Sequence, residues 1–211
     1  MHHFISANWN AWDRFYRANF MNSLSGFKSA SLIGTISEGG IPNLAIFSNL
    51  VHIGADPVLI GFINRPVEAA PHTLANIQST GVYTINHIHP AMVAQAHQTS
   101  ARYPCGTDEF AMTGLTPVFE PSIAAPFVGE SRIRYALRLQ SVLPIELNRT
   151  CLVIGEVTDV YLNNEYLEQD GFIGADAADS VCSLGIDGYF SCSRINRYAY
   201  AKTDRPPQVL K

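Results

Sequence analysis

Short apolar runs separated by turn residues dominate the chain from about residue 30 onwards. Residues 30–36 and 44–49 alternate between apolar and polar positions as strands do, and the glycines of the segment 38–40 between them can adopt the positive φ of a hairpin loop. Residues 58–63 are apolar on both faces, which is typical of a strand that is covered from both sides. This part of the pattern predicts consecutive β-strands.

The second half of the chain continues the strand pattern. After Gly81, residues 82–86 predict a further strand, and the stretches 132–142 and 151–161 alternate over longer lengths. The segment 144–150 between them suits a hairpin connection. Residues 101–131 are rich in proline and show little sustained period, so we predict an excursion that holds only short turns.

Helical patterns are confined to the periphery of this arrangement. Residues 73–79 and 90–100 predict helices, the second with Pro90 tolerated in its first turn. Within residues 1–28 the aromatic residues recur near the i, i+3, i+4 spacing of a helix. We predict an N-terminal helical arm that either packs within its own chain or clasps a partner subunit. The whole pattern predicts a mainly β fold with peripheral helices.

Composition bounds the class of protein. With 211 residues, 47% of them hydrophobic and 15% charged, the chain can bury a full core, and we expect residues 1–211 to form a single domain. The net charge of −4 and the absence of a Lys/Arg stripe argue against a nucleic-acid partner. No apolar run approaches the roughly 20 residues that span a bilayer, and the N-terminus lacks the pattern of a signal peptide. We expect no membrane association and a cytoplasmic location.

The sulfur and imidazole side chains give little sign of metal or redox-pair chemistry. Cys105, Cys151, Cys182 and Cys192 contain no Cys-x-x-Cys pair, and we interpret them as reduced thiols. His87, His89 and His97 could in principle share a metal ion, because the first two fall on one face of a continuing strand and the third follows on a helix. No Cys or carboxylate stands nearby at a recognised ligand spacing, so we predict no metal site.

The order of three segments carries a family resemblance. The strand Asn43-Leu44-Ala45-Ile46-Phe47-Ser48 is followed by an apolar strand that leads to Arg65, and then by His72-Thr73 at the start of a helix. This order resembles the flavin reductase-like family of FMN-binding split barrels, over roughly residues 20–200. The chain departs from the family pattern where Ile46 stands in place of a frequent Pro and His72 in place of a frequent acidic residue. The resemblance implies a split β-barrel.

The resemblance also implies a site for FMN. The flavin ring has a polar rim that needs backbone or amide partners, which Asn43, Ser48, Asn49, Asn86 and the backbone of residues 45–47 suit. The phosphate needs cationic or hydroxyl donors, which Arg65, Thr73 and the first amides of the following helix suit. Tyr189 belongs to a C-terminal element that lies near the flavin in the family. The predicted cofactor contacts are Asn43, Ala45, Ile46, Phe47, Ser48, Asn49, Arg65, His72, Thr73, Asn86, His87 and Tyr189.

Three functions remain open from the sequence. The first is an FMN-dependent oxidoreductase in which NADH or NADPH gives a hydride to flavin N5, and which needs no catalytic side chain because the cofactor does the chemistry. The second is an FMN-binding electron carrier without nicotinamide turnover. The third is a split barrel for another ligand, such as haem or pyridoxine phosphate. As partners we expect a second copy in a homodimer and a small-molecule electron acceptor or a partner redox protein.

Overall fold

The computed structural model describes residues 1–66 and 71–210, and β-strands form most of it. In chain order the strands are β1 (Lys28–Ser29), β2 (Ser31–Ile36), β3 (Pro42–Phe47), β4 (Leu50–Ala55), β5 (Val58–Asn64), β6 (Val82–His87), β7 (Pro117–Glu120), β8 (Ile123–Val128), β9 (Ile133–Ile145), β10 (Thr150–Leu162), β11 (Val181–Leu184) and β12 (Gly188–Ser191). The helices are α1 (Ser6–Asn10), α2 (Arg14–Leu24), α3 (Pro71–Thr80), α4 (Val93–Gln98) and α5 (Glu109–Thr113), with 3-10 turns at Pro90–Met92 and Asn164–Tyr166. The prediction of a mainly β fold with peripheral helices is confirmed.

A seven-stranded antiparallel sheet is the frame of the molecule. Its strand order is β3-β2-β6-β9-β10-β5-β4, so the two edge strands, β3 and β4, follow one another in the chain. Only Ser48 and Asn49 join them, a link that spans at most about 11 Å at 3.8 Å for each Cα step. The sheet must therefore curl until its edges approach each other.

The concave side of the curled sheet is filled by one apolar core. Six different strands each supply a buried residue to it, namely Ile33, Phe47, Phe62, Tyr83, Leu137 and Val153. Full burial of such side chains stabilises the fold by roughly 1.5–3 kcal/mol each. The rings of Phe47, Phe62 and Tyr83 meet edge to face. Side chains from all round the sheet thus meet at one centre, as the interior of a barrel requires.

A second core covers the outer face of β2 and β3. Leu32 and Leu44 pack there with Met92 beside α4, Phe110 of α5 and Val128 of β8. Strand β3 therefore lies between two apolar layers, with Phe47 facing one and Leu44 the other. Helix α5 begins where the Asp108 side chain accepts hydrogen bonds from the amides of residues 110 and 111, and it ends at Gly114 with φ of 72°.

Two regions differ from the sequence-based expectation. The segment 101–131, predicted to hold only turns, contains α5 and the antiparallel pair β7-β8. Pro117 opens β7, Pro121 follows it in the connecting turn, and Pro126 lies inside a two-stranded ribbon, where a missing N–H is tolerated. Strand β4 was not predicted, and it is an edge strand with mostly exposed or half-buried residues. Strands β1, β11 and β12 form a separate three-stranded sheet.

The predicted N-terminal arm consists of α1 and α2. No residue of either helix is buried. Its aromatic residues instead contact one another, with Trp12 edge to face against Phe4, Tyr16 and Phe20. Phe15 is 73% exposed. Within the described ranges 1–66 and 71–210, no helix has the length and apolar character needed to cross a bilayer.

Candidate functional site

A cleft of about 360 Å³ opens beside the edge strand β3. This volume lies in the range of about 300–1,000 Å³ that small-molecule sites occupy. One wall is the uninterrupted segment 43–49, and the other is the β11-β12 hairpin with Ser183, Gly185, Ile186 and Tyr189. The remaining lining comes from Ile63, Arg65, the start of α3 at Pro71, His72 and Thr73, the segment 99–103, and Glu109.

The β3 wall is held in place by side chains from two other elements. The buried carboxylate of Glu109 in α5 accepts a hydrogen bond from the Leu44 amide at 3.1 Å. Burial raises the pKa of Glu109, because a low-dielectric environment disfavours its charged form. The Asn43 amide donates to the Thr73 hydroxyl of α3 at 3.4 Å. The backbone of β3 therefore has a fixed position relative to both helices.

Asn49, in the link between β3 and β4, ties that link to β5. Its side-chain amide donates to the Ile63 carbonyl at 2.9 Å and accepts from the Ile63 amide at 3.2 Å. A neighbouring strand would give the backbone of β5 one donor and one acceptor at this position, and here the Asn49 side chain provides both. The Asn49 side chain borders the cleft while both ends of its amide are engaged.

Positively charged side chains are part of the cleft lining. Arg65 and Arg102 are exposed residues that line it, and the start of α3 lines it through His72 and Thr73. The first amides of a helix carry a partial positive charge and donate readily to anions. Among the lining residues that the structure describes, the one carboxylate is Glu109, which is tied to the Leu44 amide. The two arginines and the start of α3 are suited to a phosphate or a carboxylate.

The hairpin wall offers an unmet hydrogen-bonding group. The Ser183 hydroxyl is buried and has no hydrogen-bond partner among the described residues. A buried hydroxyl without a partner costs about 1–3 kcal/mol, and a polar ligand in the cleft would remove that cost. On the same wall the Tyr189 hydroxyl lies 2.9 Å from Nδ1 of His97, and the two rings meet edge to face.

The structure brings most of the predicted contact residues to this one cleft. Those that line it are Asn43, Ala45, Ile46, Phe47, Ser48, Asn49, Arg65, His72, Thr73 and Tyr189. Asn86 and His87 are not among the lining residues. The Asn86 amide is buried and engaged with the Leu32 carbonyl, the Thr84 hydroxyl and the Val128 amide. It joins β2, β6 and β8, which is a structural role.

The three histidines considered for a metal have separate partners. His87 Nδ1 lies 2.9 Å from the Ser180 hydroxyl, and burial lowers the pKa of His87 to about 4. His89 Nε2 lies 3.1 Å from the Glu130 carbonyl, and His97 contacts Tyr189. Across the part of the chain that the structure describes, no cluster of three or more His, Cys, Asp or Glu side chains is arranged to hold a metal ion.

Sequence reasoning missed several lining residues. Arg102 and Tyr103 follow α4, and Glu109 opens α5, within or next to the segment that was predicted to hold only turns. The Asp108-Glu109 pair before an apolar residue is a helix-start signal that could have located α5. No local sequence signal marks Ser183 as a lining residue. It reaches the cleft wall through the pairing of β11 with β12.

Comparisons with known proteins agree with this architecture. A flavin reductase candidate with a split barrel domain from Shewanella frigidimarina NCIMB 400 is 46% identical, with a TM-score of 0.92 over 95% of this chain and 100% of that one. Flavoredoxin of Desulfovibrio vulgaris (Miyazaki F) is 25% identical, with a TM-score of 0.73 over 83% of this chain and 92% of that one. The uncharacterized protein YwrF of Bacillus subtilis (strain 168) is 25% identical over 75% of this chain and 80% of its own length. The model of the flavin reductase like domain matches residues 25–183, so the chain belongs to that family, and its fold is the predicted split barrel.

Proposed function

We propose that the cleft binds FMN and that the chain is an NAD(P)H-dependent oxidoreductase of the flavin reductase type. The observation that carries the proposal is the presence, in the lining of one cleft, of a fixed backbone wall at residues 43–49 together with the exposed arginines Arg65 and Arg102. Membership of the flavin reductase like domain family supports it.

The residues of the cleft fit the chemical groups of FMN. The polar rim of the flavin ring needs both donors and acceptors, which an edge strand offers along its backbone. The unpaired Ser183 hydroxyl adds one side-chain group on the facing wall. The phosphate needs charge-assisted hydrogen bonds, for which Arg65, Thr73 and the start of α3 are available in the cleft lining. Tyr189, which also lines the cleft, would pack against the ring.

Bound FMN would supply hydride acceptance at N5, and the protein would supply position and electrostatics. The described lining contains one carboxylate, Glu109, and its hydrogen bond to the Leu44 amide gives it a holding role. The β3 wall would hold the ring rim, and Arg65 with the start of α3 would anchor the phosphate. The opening between the two walls would leave a face of the flavin for the nicotinamide donor.

The first experiment is anaerobic reduction of the purified, FMN-loaded protein by NADH and by NADPH, followed at the flavin absorption band. We expect bleaching of the band by at least one of the two nucleotides. Bound flavin that neither nucleotide reduces, but that a chemical reductant bleaches, would support an electron carrier instead, which the likeness to flavoredoxin favours as the second candidate. A protein that takes up no flavin would contradict both.

The second experiment locates the phosphate. Arg65→Ala removes a charge-assisted hydrogen bond, so FMN affinity should fall roughly tenfold to a hundredfold, the equivalent of about 1.5–3 kcal/mol. Riboflavin lacks the phosphate and should bind nearly as before, and Thr73→Ala should show the same selectivity to a smaller degree. Arg138→Ala, at an exposed position on β9 away from the cleft lining, is the matched control. Equal weakening of FMN and riboflavin by Arg65→Ala would place the phosphate elsewhere, with Arg102 the next residue to change.

The same proposal includes a homodimer in the cytoplasm that passes electrons to a small molecule or to a redox protein. The arm supports the dimer, because α1 and α2 bury no residue and leave Phe15 and Tyr16 at 73% and 57% exposure. Sedimentation at micromolar concentration should give a dimer for the full chain. A monomer that still binds FMN would contradict this part alone.

A further inference from the structure

Two cysteines that are ten positions apart in the chain come together at the base of the β11-β12 hairpin, outside the residues that line the cleft. Cys182 is buried in β11, and Cys192 is exposed immediately after β12. Cys182 is the register partner of Phe190, so Cys192, two residues beyond Phe190, falls on the same face as a diagonal neighbour. The two Sγ atoms are 3.2 Å apart.

This arrangement needs little movement to become a covalent bond. A disulfide requires the sulfur atoms at about 2.05 Å, with the two cysteines on neighbouring segments that face each other. Cys192 lies outside the strand ladder and is exposed, so its side chain can rotate towards Cys182 without breaking a strand hydrogen bond. The other two cysteines differ from this pair, since Cys105 is exposed in the segment before α5 and Cys151 lies in β10.

We infer that Cys182 and Cys192 form a reversible disulfide that regulates the cleft. The bond would close a ring around the tip of the β11-β12 hairpin. All four residues that this hairpin contributes to the cleft, Ser183, Gly185, Ile186 and Tyr189, lie inside that ring. Oxidation therefore restrains one whole wall, while β3 on the opposite side is untouched. The bond itself is independent of the proposed function, and only its effect on FMN rests on that proposal.

A hydroperoxide such as hydrogen peroxide is the oxidant. The thiolate of exposed Cys192 attacks one peroxide oxygen, the O–O bond breaks, and a sulfenic acid and one water form after protonation. The Cys182 sulfur then attacks the sulfenic sulfur, so that the S–S bond forms, the S–O bond breaks and a second water leaves with the Cys182 proton. The two thiols lose two electrons and the peroxide gains them. Burial raises the pKa of Cys182 to about 11, so the exposed Cys192 is the thiol that the peroxide oxidises first. A small dithiol reverses the bond by exchange.

The test titrates free thiols and maps linked peptides in the full chain, without added flavin, before and after stoichiometric hydrogen peroxide. The wild-type chain should lose two of its four thiols, yield one peptide that joins residues 182 and 192, and recover both thiols with dithiothreitol. Cys192→Ser and Cys182→Ser should form no intramolecular disulfide. Cys105→Ser, which removes a different exposed thiol, should behave as the wild type. Oxidation that stops at a sulfinic acid on Cys192, or a bond that includes Cys105 or Cys151, would overturn the inference.

A second measurement tests the effect on the wall. Hydrogen exchange of the amides of residues 183–191 should slow by about tenfold or more in the oxidised wild-type chain, because ring closure restrains local opening. The amides of β3 should be unchanged. A disulfide that forms without slowing this exchange would overturn the regulatory part. FMN affinity should then shift at least threefold on oxidation of the wild type and stay constant in Cys192→Ser. A chain that forms the bond but never binds FMN would contradict the proposed function and leave the disulfide standing.

Discussion

The two walls of the cleft are built in opposite ways. The β3 wall belongs to the seven-stranded sheet, and α5, α3 and β5 each contact it through a side-chain hydrogen bond. The β11-β12 wall belongs to a small three-stranded sheet whose Ile186 and Phe190 are 49% and 41% exposed. Its strand β1 continues through Ala30 into β2 of the main sheet. Beside this chain link, the Val181 amide donates to the carbonyl of Ile88, just after β6, and the Ser180 hydroxyl lies within hydrogen-bond distance of His87. We therefore expect the β3 wall to make the ligand contacts that need accurate backbone geometry. We expect the hairpin wall to change its position when a ligand binds.

The largest expected effect comes from disturbing the strand on which β3 is built. Gly34 in β2 pairs with Leu44, and a Cβ atom at Gly34 would clash with the backbone carbonyl oxygen of Pro126 and with the Thr84 hydroxyl. Backbone atoms cannot move aside cheaply, so Gly34→Ala should lower the free energy of unfolding by about 3 kcal/mol or more. Denaturant titration measures this loss.

Gly39→Ala is the matched control for this change. Gly39 lies in the β2-β3 hairpin loop, and a Cβ atom there would meet only the far end of the Ser37 side chain, at 3.8 Å. The unfolding free energy of the Gly39→Ala variant should stay within about 0.5 kcal/mol of the wild-type value. If Gly34→Ala unfolds at the same denaturant concentration as Gly39→Ala, the β3 wall is not as tightly held as we describe.

The next effect concerns the link between the main sheet and the hairpin. Folded His87 has its pKa lowered by burial from 6.5 to about 4, so it stays neutral while the unfolded chain takes up a proton. Stability that is fully present above pH 6.5 is therefore lost as the pH falls from about 6.5 to about 4. The loss from this group should reach about 3 kcal/mol, since one pKa unit of difference between the two states corresponds to about 1.4 kcal/mol.

His87→Gln tests this assignment, because the amide can still hydrogen-bond Ser180 but does not titrate. Unfolding free energies at pH 7, 5.5 and 4 should fall less steeply in the variant than in the wild type. The difference between the two curves isolates His87 from the carboxylates, which titrate in both proteins. Parallel curves would mean that His87 is accessible to protons in the folded chain.

A smaller effect is expected at the end of β3. Asn49→Ala leaves the amide and carbonyl of Ile63 without their side-chain partner, which should cost about 2 kcal/mol of stability. Asn49→Asp keeps the acceptor but loses the donor, so its unfolding free energy should lie between those of Asn49→Ala and the wild type. If Asn49→Ala weakens FMN binding without changing stability, Asn49 contacts the flavin directly, as the family resemblance implies.

The smallest effect should come from the hairpin wall. Ser183→Ala removes a buried hydroxyl that has no partner in the described chain, so the flavin-free protein should be as stable as the wild type or slightly more so. FMN and riboflavin should both bind about fivefold more weakly, the equivalent of about 1 kcal/mol for one neutral hydrogen bond. Ser31→Ala, at another buried hydroxyl without a partner but outside the cleft lining, is the control. If Ser183→Ala and Ser31→Ala bind FMN with equal affinity, Ser183 does not contact the flavin.

The sequence predicts the fixed wall far better than the hairpin wall. The alternation of residues 44–49 and the glycine loop before it are local signals, and the segment proved to form β3 and one side of the cleft. Asn86 carries a suitable amide close in the chain to these residues, yet its strand face directs it into contacts between β2, β6 and β8. Arg102, Glu109 and Ser183 reach the cleft only through long-range packing, which no local period encodes. The single-domain prediction stays a prediction.

The two-residue link between β3 and β4 has a consequence for how such barrels change over time. Ser48 and Asn49 bridge the seam of the sheet, and no strand pairing of the main sheet depends on their number. An insertion at this place would leave the β2-β3 and β4-β5 ladders in register. Loop insertions carry a small entropic cost that grows slowly with length. Chains of this architecture can therefore change the length of the seam at one point, provided that the Asn49 side chain keeps its two hydrogen bonds to Ile63.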